Sequence, residues 1–265
     1  MNILIVGYGK MGKMIESICG DHDCRIVAVL DPHYEENKSI SGAPVFRSFE
    51  DFDAVRETLP LFADAAVEFT AAKTATVNIL ALAKRNIPVV VGTTGWYDKL
   101  DDISAAVEAC GSSLLWSSNF SLGVNLFYKI AEFAAQLADK FPEYDVGGYE
   151  VHHNKKIDSP SGTAKTLCEK VLAKMTSKKV AAYDKLDRKP LPDELHYASL
   201  RLGNVPGTHT LSFDSSADTI EITHTSRNRE GLAGGALTAA KWLASKPHGK
   251  IRCGIFTMDD VLSIS

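Results

Sequence analysis

Short apolar runs rich in β-branched residues punctuate the first half of the chain. Residues 2–6 (NILIV), 25–30 (RIVAVL), 65–69, 88–91 (PVVV) and 113–116 (SLLW) each read as a buried strand. Apolar positions at helical spacing fill the intervals 11–18, 72–85 and 100–110, and residues 32–44 hold the Pro, Asn, Ser and Gly of a loop. Strands that are apolar throughout and alternate with helices predict a parallel sheet covered on both faces. The pattern changes after Asn119. Residues 124–141 read as an aromatic-rich apolar helix, 149–153 as a strand and 163–175 as a helix. Residues 208–213 and 219–225 alternate like an antiparallel pair. An Ala-rich helix over 232–243 and a short strand near 251–257 close the chain. The predicted fold class is α/β: a Rossmann-type doubly wound parallel sheet over 1–121 and 232–265, with an inserted α+β domain over 122–231.

Composition narrows the function classes. Among 265 residues, 29 Lys and Arg against 33 Asp and Glu give a net charge of −4, with 45% hydrophobic and 23% charged residues. These values exclude intrinsic disorder and argue against a generic nucleic-acid binder. No apolar run reaches the roughly 18 residues of a membrane span, and the run at 3–6 is too short for a signal peptide. Cys19, Cys24, Cys110, Cys168 and Cys253 are scattered and form no CxxC pair. They point to a reducing cytoplasm and away from a disulfide framework or a zinc site.

Gly7-Tyr8-Gly9-Lys10-Met11-Gly12 fits G-x-G-x-x-G between a strand and a helix. Gly7 permits the tight turn, Gly9 lets a pyrophosphate approach the backbone, and Gly12 lets helix and strand pack closely. Asp31, at the end of the second strand, stands where a ribose 2′-hydroxyl is held. Its carboxylate favours NADH over NADPH, while Lys10, Lys38 and His33 leave dual use open. Gly92-Thr93-Thr94-Gly95 follows another strand at a position where doubly wound sheets bind ligands.

Residues 150–164 (EVHHNKKIDSPSGTA) concentrate imidazoles, lysines and a helix opening. The free N–H groups at such an opening suit a carboxylate or phosphate, and imidazoles move protons near neutral pH. The same residues also fit an N-cap at Ser161 or Thr163, a solvent-facing histidine and surface lysines. No third ligand at metal-binding spacing accompanies the histidines, so no metal is expected.

This segment resembles the signature E-x-H-H-x-x-K-x-D-x-P-S-G-T-A of the 4-hydroxy-tetrahydrodipicolinate reductase (dihydrodipicolinate reductase) family, of bacterial lysine and diaminopimelate synthesis. Here it stands as Glu150, His152, His153, Lys156, Asp158, Pro160, Ser161, Gly162, Thr163 and Ala164. Further similarity lies in Glu68-Phe69-Thr70 (the family's D-F-T), in Gly92 to Gly95, in residues 119–125 (NFSLGVN), in Ser226-Arg227, and in residues 256–262. Two departures bear on cofactor preference. The glycine loop is one residue shorter than G-x-x-G-R-M-G, with Lys10 for Arg, and Asp31 is followed by Pro32 where many members carry an acidic–Arg pair.

The resemblance implies a proton-handling His152 with Lys156 as proton donor or cationic partner. It implies substrate carboxylates held by His153, Ser161, Gly162 and Thr163, with Arg227 a weaker candidate. It places NADH or NADPH against Gly7, Tyr8, Gly9, Lys10, Met11, Gly12, Asp31, Gly92, Thr93, Thr94, Ser117, Ser118, Asn119 and Phe120. The implied substrate is a cyclic imine with two carboxylates. The inserted domain would bind it and would also build a homo-oligomer, a tetramer in many members. Hydride transfer between two domains leads us to expect hinges near residues 119–123 and 227–231. An acylating semialdehyde dehydrogenase would need a nucleophilic Cys beside a His, and a redox sensor would need a basic or DNA-binding segment; neither is evident.

Overall fold

The computed structural model describes residues 1–56, 62–183, 185–245 and 252–262. The chain divides into two compact units, Met1–Ser121 with Glu230–Ser265, and Leu122–Arg229.

In the first unit, β1 (Asn2–Val6), β2 (Arg25–Leu30), β3 (Val45–Phe46), β4 (Ala65–Glu68), β5 (Val89–Val91), β6 (Ser113–Trp116) and β12 (Gly254–Phe256) form one sheet in the order β12-β6-β5-β4-β1-β2-β3. Every pairing is parallel. The order reverses between β1 and β4, the switch point at which such sheets bind ligands. The central strands are buried because helices cover both faces. Leu4, Val6, Ala66, Val89, Val91 and Leu114 pack with Ile79 and Leu82 of α3 (Ala72–Ala83) and Ile103 and Val107 of α4 (Leu100–Ala109). Across the sheet lie α1 (Lys10–Ile18) and α7 (Glu230–Ala244).

Two elements here differ from the sequence expectation. The two-residue β3 is too short to show a period. The helix α2 (Phe49–Arg56) buries Phe52 while its other side is acidic, so its apolar stripe is thin. Ser48 caps it, its hydroxyl accepting from Asp51 N–H at 3.1 Å. At the C-terminal strand, Ile251 lies outside the described residues.

The second unit is a mixed sheet in the order β11-β10-β7-β9-β8 backed by two helices. Its strands are β7 (Asp145–His152), β8 (Val180–Tyr183), β9 (Glu194–Arg201), β10 (Thr208–Asp214) and β11 (Thr219–Thr225). The expected antiparallel pair is β10–β11, with Thr208 opposite Thr225. The strands β8 and β9 were not expected from the pattern. They run parallel to β7 within the sheet, and β9 mixes Glu, His, Ser and Arg with its apolar residues. The helices α5 (Leu122–Ala138) and α6 (Gly162–Leu172) bury Phe127, Tyr128, Ala131, Leu167, Cys168 and Val171 against Val146, Leu195, Tyr197, Leu211 and Phe213. A short helix, α8 (Met258–Val261), closes the described chain in the first unit.

Candidate active site

In the first unit a cleft of about 520 Å³ opens at the C-terminal ends of β1, β4 and β5. It is lined by Gly9, Lys10, Met11, Phe69, Thr70, Ala71, Ala72, Gly92, Thr93 and Thr94. The three glycines of the loop do different work. Gly7 has φ +91°, and a Cβ there would stand 2.3 Å from the Phe69 carbonyl oxygen. A Cβ on Gly12 would stand 2.4 Å from the Gly7 carbonyl oxygen. Both positions therefore serve backbone packing. Nothing lies within 4 Å of a Cβ on Gly9, whose backbone is open to the cleft. A loop of this form at the start of a helix presents N–H groups and the positive end of the helix dipole, which fits a dinucleotide pyrophosphate.

The Tyr8 side chain turns inward instead. Its hydroxyl donates to the Glu16 carboxylate and accepts from Ile40 N–H at 3.0 Å. Asp31 accepts from Tyr8 N–H at 2.7 Å and from His33 N–H at 2.8 Å, one bond to each carboxylate oxygen. It is thereby fixed in place beside the loop, with lone pairs to spare for a hydroxyl.

Phe69 to Ala72 were missed as cleft residues by sequence reasoning, although a polar residue directly after a strand at the switch point is a usable signal. Thr70 N–H donates to Thr93 Oγ1 at 2.8 Å and so ties the two cleft loops together. Beneath them Glu68 is fully buried; burial raises its carboxyl above the usual range despite hydrogen bonds from Thr70 and Asn78. Ser117 and Asn119 bond to one another, the Ser117 hydroxyl donating to the Asn119 carbonyl at 2.8 Å. Phe120 packs edge-on to Phe69 at 6.3 Å, which brings this segment to the rim of the cleft. Ser118 is exposed.

In the second unit the chemistry gathers where β7 ends and α6 begins. Ser161 is the N-cap of α6, its hydroxyl accepting from Ala164 N–H at 3.1 Å and donating to Glu150. The N-cap reading and the site reading of Ser161 thus hold together. Gly162 is exposed with open space at its Cβ position, so a ligand can reach the first turn of the helix. Thr163 follows in that turn, and its carbonyl accepts from Tyr128 OH at 3.3 Å. Lys156 Nζ pairs with both Asp158 oxygens at 2.8 and 2.9 Å.

His152 is buried, and burial lowers its proton affinity. The Glu150 carboxylate opposes that shift, while Lys156, Arg201 and His153 add to it. His153 is half-buried, with its Nδ1 lacking a hydrogen-bond partner among the described residues. Arg227 is exposed. It follows Ser226, whose N–H donates to the Gly207 carbonyl at 2.8 Å, and a Cβ on Gly207 would stand 3.0 Å from His152 Nε2.

Ser199, Arg201, Gly207 and His209 were also missed, because sheet register rather than local sequence brings them here. For His209 a signal existed: period two places it on the same face as Leu211 and Phe213. Register also supplies the metal-ligand partners that spacing lacked. Atoms of Glu150, His152 and His209 lie within 4.8 Å of one another. The carboxylate is already engaged by Ser161 and Ser199, with Arg201 at 3.5 Å, donors that a metal would have to displace.

A doubly wound sheet with a glycine-loop cleft at its switch point, joined to a second unit bearing imidazole, lysine and an open helix start, defines a two-domain oxidoreductase. Solved structures share this fold: a dipicolinate-bound dihydrodipicolinate reductase from Paenisporosarcina sp. TG-14 matches at TM-score 0.74 and 21% identity over 99% of both chains. A probable dehydrogenase from Thermotoga maritima matches at TM-score 0.63 and 10% identity over 98% of this chain and 92% of its own. The family descriptions "dihydrodipicolinate reductase, N-terminus" and "dihydrodipicolinate reductase, C-terminus" match residues 1–120 and 123–262. The chain is 41% identical to the 4-hydroxy-tetrahydrodipicolinate reductase of Christiangramia forsetii, over 99% of this chain and 98% of that one. It is also 41% identical to that of Archaeoglobus fulgidus, over 96% of each. The chain belongs to the dihydrodipicolinate reductase family.

Proposed function

We propose that the protein reduces 4-hydroxy-tetrahydrodipicolinate to tetrahydrodipicolinate with NAD(P)H, with the cofactor in the cleft of the first unit and the substrate at the start of α6. The observation that carries this reading is the joining of His152, Lys156 and an open helix N-terminus around β7, in a chain whose other unit holds an open glycine loop. Gly9, Lys10, Met11 and Thr70 would hold the pyrophosphate, with Gly92, Thr93, Thr94 and the segment Ser117 to Phe120 farther along the dinucleotide. Bound nicotinamide supplies a hydride. The chain's own residues do the rest. Gly162, Thr163 and His153 bind carboxylate, with Arg227 close to Gly207 as a further cation. Lys156 adds positive charge beside His152. Loss of the substrate's 4-hydroxyl as water leaves a conjugated C=C–C=N system. The hydride adds at the far carbon of that system, and His152 gives a proton to the adjacent carbon of the resulting enamine, which needs an acid whose pKa lies near the working pH.

Asp31 would take ribose hydroxyls and repel a 2′-phosphate, so NADH is the preferred cofactor. The chain crosses between units at Ser121–Leu122 and Arg229–Glu230, and hinges there would bring reacting atoms to the roughly 3–3.5 Å that transfer requires. Exposed Tyr149 and Leu200 in the second sheet support a homo-oligomer, a tetramer by family likeness. No helix among the described residues is long and apolar enough to cross a membrane, and cysteines that are all free fit a cytoplasmic enzyme. A nucleophilic-cysteine mechanism has little support: burial pushes the Cys168 thiol up to about 12 and raises Cys19 and Cys24 as well. Steady-state oxidation of NADH and of NADPH, with the hydroxy-imine generated in place, tests the proposal. Turnover with NADH ahead of NADPH is expected, and no oxidation of either defeats it.

A further inference from the structure

The strand register sets four polar groups in one row across the second sheet. Glu150 of β7 stands opposite His209 of β10 on one side and Ser199 of β9 on the other, and His209 stands opposite His224 of β11. The Glu150 side chain is wholly buried. Its Oε1 accepts from Ser161 N–H and from Ser199 Oγ, both at 3.0 Å, with Arg201 Nη1 at 3.5 Å. Its Oε2 accepts from Ser161 Oγ and faces two imidazole nitrogens: His152 Nδ1 at 3.5 Å and His209 Nδ1 at 3.8 Å.

Among the described residues only one of these nitrogens has another partner, since His209 Nδ1 lies 3.2 Å from Tyr197 OH. His152 Nδ1 is buried and makes no hydrogen bond among the described residues. The other ring nitrogen, Nε2, faces the space that Gly207 leaves clear by lacking a Cβ.

Burial works to raise the Glu150 carboxyl, but the Ser161 hydrogen bonds, joined by the charges of His152 and His209 when these are protonated, outweigh it and hold the carboxyl below its usual range. An ionised carboxylate beside a ring nitrogen selects the tautomer that carries its proton there, because two acceptor lone pairs would otherwise oppose each other. A separation of 3.5 Å is long for a formed N–H···O bond, and catalytic hydrogen bonds commonly tighten when substrate is in place.

We propose that Glu150 is a positioning residue: it keeps the proton of neutral His152 on Nδ1, so that Nε2, on the side cleared by Gly207, is the atom that exchanges a proton with substrate. The step balances. The imidazolium breaks its Nε2–H bond, the proton passes to the substrate carbon, and the neutral Nδ1–H imidazole remains beside Glu150. The kinetic part of this inference rests on the reductase reading above, whereas the tautomer is a property of the protein alone. The groups that face His152 are Glu150 on β7, His209 on β10, Arg201 on β9, and His153 and Lys156 on the loop after β7. Of these Glu150 carries the negative charge.

Long-range proton–nitrogen NMR of histidine-labelled wild-type protein near neutral pH reads the tautomer, with His152 assigned by the loss of its signals in His152→Asn. We expect a protonated Nδ1 and a bare Nε2; the reverse pattern overturns the inference whether or not the enzyme is active. In Glu150→Gln we expect kcat to fall by about tenfold to a hundredfold with KM nearly unchanged. The basic limb of the pH–rate profile should move to lower pH, because the charge that raises His152 is gone. A fall in kcat with an unmoved limb would make Glu150 structural only. If Glu150→Gln does not fold, the wild-type tautomer decides alone.

Discussion

The two candidate sites are built from different materials. The cleft of the first unit is made chiefly of backbone, with glycines, three threonines, small residues and one phenylalanine around it and Lys10 as its cation. The cluster of the second unit is made of ionisable side chains that set one another's charge: Glu150, His152, His209, Arg201, Lys156 and Asp158. A site that binds phosphates needs shape and N–H groups, which helix and turn geometry provide. A site that moves a proton needs a tuned group, which only neighbouring charges and burial provide. The contrast predicts that damage to each site shows in a different measurement.

The largest effect should come from the proton-handling residues. His152→Ala is expected to lower kcat by about 10²- to 10⁴-fold, and Lys156→Ala to lower it less. Binding of NADH, followed by its fluorescence, should change by less than about twofold in either variant. Collapse of NADH binding together with kcat would show that the two sites are not separable and would break the comparison.

Within the first unit, the glycines separate shape from binding. Gly12→Ala drives a methyl against the Gly7 carbonyl oxygen at 2.4 Å, so denaturant unfolding should show a loss of about 1–3 kcal/mol. Gly9→Ala meets nothing within 4 Å and has an ordinary negative φ of −78°. Its stability should match wild type while NADH binds about tenfold more weakly, roughly 1.4 kcal/mol. Equal stability losses in both variants would remove the distinction between packing and binding glycines.

These cases show why one site was more legible in sequence than the other. Gly7, Gly9 and Gly12 act through their own backbone, so their spacing carried the reading, and the apolar runs fixed the parallel sheet. Ser199 and His209 lie 49 and 59 positions beyond Glu150 and meet it only through register. No local pattern encodes that meeting, and β9, which carries Ser199, has too little alternation to announce itself as a strand. The resemblance at residues 150–164 marked His152 and Lys156 as chemistry-bearing. It did not show what surrounds them.

A smaller effect concerns cofactor choice. Asp31 accepts backbone N–H groups from Tyr8 and His33, so it both holds the loop and places a negative charge beside it. Asp31→Asn keeps acceptor capacity and removes the charge. The ratio of kcat/KM for NADH over NADPH should fall by about tenfold, mostly through KM for NADPH, as expected when a like-charge repulsion of roughly 1.4 kcal/mol is removed. An unchanged ratio would move the determinant elsewhere in the loop.

The smallest effects should appear in stability against pH, where His209 of the second unit and Glu68 of the first should respond in opposite directions. His209 is a base that burial pushes down to about 4 from 6.5, with His152, His224 and Lys156 adding to the shift and Glu150 opposing it. Below pH 6.5 the unfolded chain takes up a proton on this residue that the fold refuses, so stability falls as pH drops from about 6.5 towards 4. Glu68 is an acid that burial raises above 4.5. Above pH 4.5 the unfolded chain releases a proton that the fold retains, so its contribution is fullest at low pH and is lost as pH rises through the folded value. His209→Gln should therefore flatten the acid side of the melting-temperature profile between pH 6.5 and 4. Glu68→Gln should flatten the decline that sets in above pH 4.5. Glu150, whose carboxyl is held below 4.5, contributes stability that is lost as pH falls from about 4.5, so it meets the His209 window only at its lower end. If both variants changed the same limb of the profile, the assignment of His209 as acid-sensitive and Glu68 as base-sensitive would be wrong.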